Sequence, residues 1–393
     1  MERHHDDDRF MDEAFVLAER GRRRTHPNPV VGAVLAKDGE VVGRGWHECC
    51  GAPHAEVVAL REAGPRAAGA TLYCTLEPCA HRGRTPPCVE AVIGAGVTRV
   101  VVAMADPNPL VDGRGLARLH EAGVAVDLGG GRWERRARQQ NAAFVKAVAT
   151  GLPLVTYKAA VSLDGKVAAA GGDARWISSP ESRRRVHAMR AAADAVMVGA
   201  GTVRRDDPAL TVRLVEGRDP VRVVVTRAAR LPADARLLAT AREAPTLVLA
   251  EQVAPARRRE LEARGVEVLE MGSGGLRSGL ALLAGRGLLE ILCEGGPGLA
   301  GALLAEGLVD RVVLFVAPLL VGRGAPDLVA APAVSAVAEA LRLQNVTWEA
   351  VGDDLVLCAD VPGAGASAPA ARAGQEPARD GAVAAGARAG TEA

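Results

Sequence analysis

The residues best suited to chemistry lie in Pro53-His54-Ala55-Glu56, followed by Glu77-Pro78-Cys79 and Pro87-Cys88. One imidazole and two thiolates form a ligand set that Zn²⁺ accepts, and the two sulfur charges balance the metal. Three protein ligands leave a fourth position for water, which marks a catalytic zinc rather than a structural one. His54, Cys79 and Cys88 are therefore read as the ligands. Glu56 is read as a carboxylate beside the metal but not bound to it. So placed, it takes a proton from activated water and passes it to departing ammonia, the logic of hydrolytic deamination of an amino-substituted ring. Taken singly, each residue has an ordinary role: a His at a helix start is commonly a cap or a core residue, and the helix dipole favours Glu in a first turn. The combination is what points to chemistry. The two cysteines stand nine apart rather than three as in the commonest deaminase pattern, so the loop between them must fold back. Cys49, Cys50, Cys74, Cys293 and Cys358 are read as buried thiols.

These groups converge only if regular elements deliver them. "PVVGAVLAKDGEVVGRGWH" reads as two strands joined by a tight turn at Asp38-Gly39. A helix opens at "PHAEVVALREAG", then come the strand "ATLYCTL", a loop rich in Pro and Gly, and the helix "PCVEAVIGAG". Glu-Pro-Cys and Pro-Cys are both expected at helix starts, where the dipole favours thiolates. A strand "RVVVAMA", a helix "GRGLARLHEAG", a short strand and one last helix to about residue 150 complete the first half. This alternation predicts an α/β fold with a largely parallel sheet after the opening hairpin. Gly151 and Pro153 end the last helix, which puts a domain boundary between residues 1–150 and 151–361. The second half alternates again, with helices from Pro180, near 254–264 and from Pro297, and a final strand pair "VTWEAVGDDLVLCADV". Residues 362–393 are almost all Ala, Gly, Pro and Arg without periodicity, and are expected to be a disordered tail.

A chain of 393 residues exceeds one ordinary core, in keeping with two domains. A net charge of +1 and 3% aromatics give no basic, stacking groove, so a nucleic-acid partner is not expected. The N-terminus has no apolar core of a secretory signal, and the longest apolar run, "VVLFVAPLLVG", is too short for a bilayer. A cytoplasmic protein is expected, with no membrane partner. Five of seven Cys fall between positions 49 and 88, which in a reducing compartment suits metal binding better than disulfides. In the second half, Gly296-x-Gly298-x-x-Gly301 leads into a helix, and its bare N–H groups favour a phosphate. No acid follows about twenty residues on to hold a ribose 2′-hydroxyl, which disfavours NAD and leaves NADP open.

"HPNPVVGAVL", "GWHECCGAPHAE", "TLEPCAHRGRTPPC" and "DPNP", in that order, resemble the bifunctional riboflavin-biosynthesis deaminase–reductase (RibD) family over roughly residues 9 to 360. "KAAVSLDGKVA", "RWISSPESR", "VGAGTVRRDDPALTVR" and "CEGGPGLAGALL" are similar to its reductase half. The resemblance implies a cytidine-deaminase-like three-layer domain followed by a dihydrofolate-reductase-like α/β domain. It implies zinc-dependent deamination of 2,5-diamino-6-(5-phosphoribosylamino)pyrimidin-4-one, then NADPH-dependent reduction of the ribosyl group to ribityl. By resemblance, Asn28, His47, His81 and Arg84 line the pyrimidine and phosphoribose pocket. Ala160, Trp176, Thr202, Asp206 and the turn Gly296, Pro297, Gly298, Leu299, Ala300, Gly301 and Ala302 would bind NADPH. Ala174, Arg190, Leu210, Arg213 and Glu294 would bind substrate, with Arg190 and Arg213 as guanidinium forks for a sugar phosphate. Lys158 and Asp206 are candidates to polarise or protonate the reacting sugar. The expected partners are small phosphoribosyl-pyrimidines and further copies of this chain. Two other readings exist. A nucleic-acid base deaminase needs the groove this composition lacks, and a non-catalytic zinc module needs a fourth protein ligand or no Glu56.

Overall fold

The structure is a computed structural model and describes residues 2–80, 87–109, 111–330 and 334–363. In chain order, the first half comprises α1 (Glu2–Glu19), β1 (Gly32–Lys37), β2 (Glu40–Trp46), α2 (Ala55–Ala63), β3 (Thr71–Cys74), α3 (Cys88–Gly94), β4 (Arg99–Val102), α4 (Arg114–Glu121), β5 (Ala125–Leu128), α5 (Arg132–Gln140) and α6 (Ala142–Thr150). Its five strands form one sheet in the order β2-β1-β3-β4-β5. The β1–β2 and β1–β3 pairs are antiparallel, and β3–β4 and β4–β5 are parallel. The β1–β2 turn places Asp38 and Gly39 at φ 52° and 80°, the positive-φ pair that the sequence Asp-Gly predicts.

Strand alternation splits the core of this half into two layers. Ala33, Leu35, Leu72, Val100 and Val102 face α2, α3 and α4 through Ala59, Leu60, Val92 and Leu119. Val34, Tyr73 and Val101 point the other way, against Phe10, Met11, Ala14 and Phe15 of α1. The close seat of α2 needs glycine: a Cβ on Gly45 would stand 2.1 Å from the Ala55 carbonyl oxygen, and one on Gly43 2.3 Å from that of Ala59. Those two residues of β2 set how near the start of α2 comes to the sheet.

The second half comprises β6 (Leu154–Ser162), α7 (Pro180–Ala192), β7 (Ala195–Gly199), α8 (Ala200–Asp206), β8 (Val221–Thr226), α9 (Arg236–Ala239), β9 (Thr246–Ala250), α10 (Pro255–Ala263), β10 (Val266–Glu270), α11 (Gly275–Ala284), β11 (Glu290–Cys293), α12 (Pro297–Ala305), β12 (Arg311–Ala317), β13 (Gln344–Val351) and β14 (Asp354–Asp360). The sheet order is β10-β9-β8-β7-β11-β6-β12-β14-β13, parallel from β10 to β12 and antiparallel beyond. The strand order reverses between β7 and β11, which opens a crevice at their carboxyl ends. Val155, Met197, Leu247 and Ile291 pack against Leu280 and Leu283 of α11 and Leu303 of α12, while Val196, Val198, Val224 and Val248 pack the opposite face against α8, α9 and α10.

The sequence reading differs from these elements in several places. The last helix of the first half is two, divided at Asn141, whose side chain accepts from Val30 N–H at 2.8 Å and donates to Val30 O at 3.1 Å. The break is in the backbone of Asn141, at φ −109° and ψ 24°, while its N–H and carbonyl still bond to Ala137 O and Val145 N–H. Glu77-Pro78-Cys79 does not open a helix: it runs as an extended segment after β3, and of the two cysteines only Cys88 starts one. Cys50 is exposed and Cys49 and Cys358 are half-buried, so of the five thiols expected inside only Cys74 and Cys293 are fully buried. Among the described residues no helix is long and apolar enough to cross a membrane. The tail beyond Gly363 lies outside the described residues.

Candidate active sites

His54 is the N-cap of α2 but makes no capping bond. Its Nδ1 instead faces two sulfurs, Cys88 Sγ at 3.0 Å and Cys79 Sγ at 3.5 Å, which are 3.4 Å from each other. Around a tetrahedral zinc, ligand atoms should stand about 3.5–3.8 Å apart, so the triangle is within about 0.5 Å of the size required. The electrostatics agree. The Cys88 thiol and backbone N–H both point at Cys79, which together with His54 brings Cys79 down to about 4. The resulting thiolate, with burial, pushes Cys88 up. A divalent cation between the sulfurs removes that penalty. Among the described residues no fourth His, Cys, Asp or Glu joins the cluster. The residues present therefore fit a zinc ion with an open position.

Glu56 lies one helical step inside, 3% exposed. Burial raises its carboxyl to about 7, only partly offset by His54. A buried carboxyl beside the metal position, with burial working against its charge, suits taking up and returning a proton. Above it opens a cavity of about 420 Å³, whose wall includes Asn28, His47, Asp106, Asn108 and Phe144. His47 Nδ1–H donates to Pro53 O at 3.2 Å, leaving Nε2 to accept from the Asn28 amide at 3.1 Å. Burial lowers the His47 pKa, which keeps that neutral arrangement. The floor is set by Glu77, 3% exposed, whose carboxylate accepts N–H bonds from Asp106, Gly113, Gly115 and Leu116 at 2.8–3.3 Å. That one side chain ties the loop bearing Asp106 and Asn108 to the segment bearing Cys79.

A second cavity, of about 460 Å³, lies at the carboxyl ends of β6, β7 and β11. Glu294 and Arg190 form a two-point pair at its base, Nε–Oε1 2.6 Å and Nη2–Oε2 2.9 Å, with Arg190 Nη1 on Thr211 O at 3.1 Å. Burial alone would raise Glu294, but Arg190 and then Lys158 hold it down at about 2. Lys158 is lowered by burial, with Glu294 pulling the other way. His187, brought down to about 4 mainly by burial and then by Arg190 and Arg213, is neutral and accepts the Arg213 N–H at 2.9 Å. Thr202 of α8 accepts the Gly296 N–H at 3.3 Å, joining two of the turns around the crevice.

The structure gathers most of the residues singled out from sequence. His54, Glu56, Cys79, Asn28 and His47 share the first cavity, with Cys88 in van der Waals reach of Cys79. Ala160, Ala174, Trp176, Arg190, Thr202, Asp206, Arg213, Glu294, Gly296, Pro297 and Lys158 line the second. Leu210, Ala300 and Gly301 do not face it: Leu210 is 2% exposed within the core beneath α8, and Ala300 and Gly301 lie on the buried side of α12. Gly298, Leu299 and Ala302 also lie outside the lining, so the turn meets the cavity at Glu294–Pro297. Arg190 is not a free fork, since Glu294 occupies it. His81 and Arg84 lie outside the described residues. Three contributors escaped the sequence reading: Glu77, the Asp106/Asn108 pair and His187. "DPNP" was a signal for the pair, noted as a motif but given no role; Glu77 stood in the Glu-Pro-Cys motif, also without a role, and nothing local marks His187.

Residues 153–357 match the RibD C-terminal domain family, and residues 4–104 match the cytidine and deoxycytidylate deaminase zinc-binding region. The riboflavin biosynthesis protein RibD of Aquifex aeolicus is 43% identical over 354 residues, covering 89% of this chain and 97% of the relative. The chain belongs to the RibD family. That of Escherichia coli is 42% identical over 376 residues, at 89% and 98% coverage. Among solved structures, Acinetobacter baumannii RibD aligns with a TM-score of 0.81 at 40% identity, covering 91% of this chain and 99% of its own. A diaminohydroxyphosphoribosylaminopyrimidine deaminase/5-amino-6-(5-phosphoribosylamino)uracil reductase from Thermotoga maritima aligns at 0.79 and 33%, at 91% and 99% coverage. The molecule is thus a bifunctional deaminase–reductase of riboflavin biosynthesis, with a zinc-binding, cytidine-deaminase-like first half and an NADPH-binding, dihydrofolate-reductase-like second half.

Proposed function

We propose that the first half hydrolytically deaminates 2,5-diamino-6-(5-phosphoribosylamino)pyrimidin-4-one, and that the second reduces the ribosyl group of the resulting 5-amino-6-(5-phosphoribosylamino)uracil to ribityl with NADPH. The observation that carries the reading is a buried carboxyl, Glu56, beside a His54–Cys79–Cys88 triangle of zinc dimensions under a cavity of about 420 Å³. His54, Cys79 and Cys88 would hold zinc, which would supply the Lewis acidity that activates water near neutral pH. Glu56 holds the mobile proton: ionised, it accepts one from the nucleophile, and protonated, it delivers one to the amino group that leaves. The Asn28 amide and neutral His47, locked to each other, orient the ring, and the Glu77-braced loop closes the opposite wall. By the family resemblance, His81 and Arg84 join Asn28 and His47 in binding the pyrimidine and phosphoribose of the substrate.

In the reductase half, the Glu294–Pro297 turn lines the place for the nucleotide, the Thr202 hydroxyl, which accepts the Gly296 N–H, keeps its own hydrogen to donate, and Arg213 meets the sugar phosphate. NADPH supplies hydride. Lys158, whose pKa burial lowers, and Asp206, whose pKa burial raises, are the proton donors nearest to hand. The two halves meet near Gly151, so that residues 1–150 form the deaminase and 151–361 the reductase. The outer edge strand β13 exposes Val346 and Trp348, 45% and 59% accessible, and an apolar unpaired edge favours pairing with a second copy. The enzyme is assigned to the cytoplasm, where phosphoribosyl intermediates and reduced thiols coexist. Purified, zinc-loaded protein should release one ammonia per diaminopyrimidine phosphoriboside and then oxidise one NADPH. Ammonia release without NADPH oxidation would leave the reductase assignment unsupported, and no ammonia release would overturn the deaminase assignment.

A further inference from the structure

The loop between α1 and β1 touches both halves. On one side Pro27 and Asn28 wall the zinc cavity, and Asn28 holds His47. On the other, His26 Nδ1 meets Asp194 Oδ2 at 2.7 Å, with both side chains about nine-tenths buried. Asp194 directly precedes β7 in the reductase half, and the same oxygen accepts the N–H groups of Leu289 and Glu290 at 2.8 Å each. Its carboxylate is therefore fixed at the entry to β7 and β11 before His26 arrives. Neighbouring residues add to the grip: Arg22 reaches Glu290 at 3.2 Å, and Arg23 donates to the carbonyls of Ala191, Arg218 and Asp219. Within the loop, the Asn28 N–H bonds to Thr25 O at 2.8 Å, so His26 sits inside a closed turn and cannot shift without carrying Asn28 along.

We infer that Asp194 of the reductase half is a positioning residue for the deaminase site, holding the Asn28 wall in place through His26. The deaminase cavity is on this account completed by the other half of the chain. His26 does not line the cavity and has no contact with the zinc triangle, so its effect passes through the loop alone. Its environment suits a persistent charged pair: burial opposes the imidazolium, but Asp194 and then Glu290 outweigh burial and Arg22, and the net shift is upward.

The inference rests on Asn28 as part of the pyrimidine pocket, and the test separates the two. Ammonia release from the diaminopyrimidine phosphoriboside is measured on the full-length, zinc-loaded protein for Asn28→Ala, His26→Ala, His26→Asn, Asp194→Asn and the double variant H26A/D194N. His26→Ala and Asp194→Asn should each raise KM about tenfold with kcat within about twofold, the signature of lost binding geometry rather than lost chemistry. His26→Asn, whose amide nitrogen stands near the position of Nδ1, should recover most of the KM. The double variant should be no worse than either single one. For His26→Ala, zinc content and NADPH-dependent reduction of supplied deaminated intermediate should be unchanged. An unchanged KM in His26→Ala and Asp194→Asn while Asn28→Ala raises it would overturn the inference and spare the pocket. An unchanged KM in Asn28→Ala would overturn both. Multiplicative effects in the double variant, or no recovery with His26→Asn, would show that the two residues do not act as one device.

Discussion

Removing the Arg190 guanidinium tests the electrostatic base of the reductase cavity. Glu294 and Arg190 are only 11% and 12% exposed, and the pair is bidentate. The Glu294 carboxyl is held at about 2 against an ordinary 4.5, so at about 1.4 kcal/mol per pKa unit the net balance of burial against Arg190 and Lys158 favours the ionised form by roughly 3 kcal/mol. Arg190→Met leaves that carboxylate with Lys158 as its nearest cation, and breaking such a buried pair costs about 3–5 kcal/mol. The expected result is a fall of about 3 kcal/mol in the unfolding free energy of the second half at pH 7, read by urea titration, with reductase turnover lost. Deamination should persist wherever the protein remains folded. The pH dependence has a definite sign. Because the folded pKa of Glu294 is depressed, its stabilisation is present above about 4.5 and is lost as pH falls toward about 2. The variant and wild-type stabilities should therefore converge across that acid window. Adding Glu294→Gln to Arg190→Met removes the stranded charge and should recover at least half of the loss. A cost below about 1 kcal/mol for Arg190→Met, or strictly additive costs in the double variant, would refute the claim that these two groups hold each other in place.

Two further changes probe the frame of the deaminase site. Glu77→Gln turns one acceptor oxygen into a donor facing N–H groups of residues 106–116, and should cost about 2 kcal/mol in the melting of the first half and raise KM for deamination, with zinc retained on elemental analysis. Gly45→Ala places a methyl 2.1 Å from Ala55 O, so α2 must move away from β2, and deaminase activity and zinc affinity should fall together while reduction of supplied intermediate continues.

The reach of the sequence followed the range over which each feature acts. His54, Glu56, Cys79 and Cys88 announced themselves because metal chemistry restricts which residue types will serve, and a Pro before each cysteine marked the break in regular structure. The Asp38-Gly39 turn and the strand runs were legible for the same local reason. Glu77 was visible only as part of a motif, because the N–H groups it satisfies lie some thirty residues on and no local pattern encodes them. Asn141 looked like an ordinary helical residue, and its partner is Val30, more than a hundred residues earlier in the chain. Helix α11 went unread since Gly272–Gly275 signals a loop, yet burial of Leu280 and Leu283 against the second sheet outweighs that local cost. That Arg190 reaches the second cavity already paired with Glu294 was not legible, because sequence gives a side chain's charge but not its partner.

The most direct test of the account is Glu56→Gln, assayed with zinc content and both activities measured on one preparation. A non-ligand proton carrier predicts full zinc stoichiometry, ammonia release reduced about 10²–10⁴-fold, and unchanged NADPH oxidation on supplied deaminated intermediate. Loss of zinc with the substitution, or ammonia release near the wild-type rate with zinc in place, would contradict it.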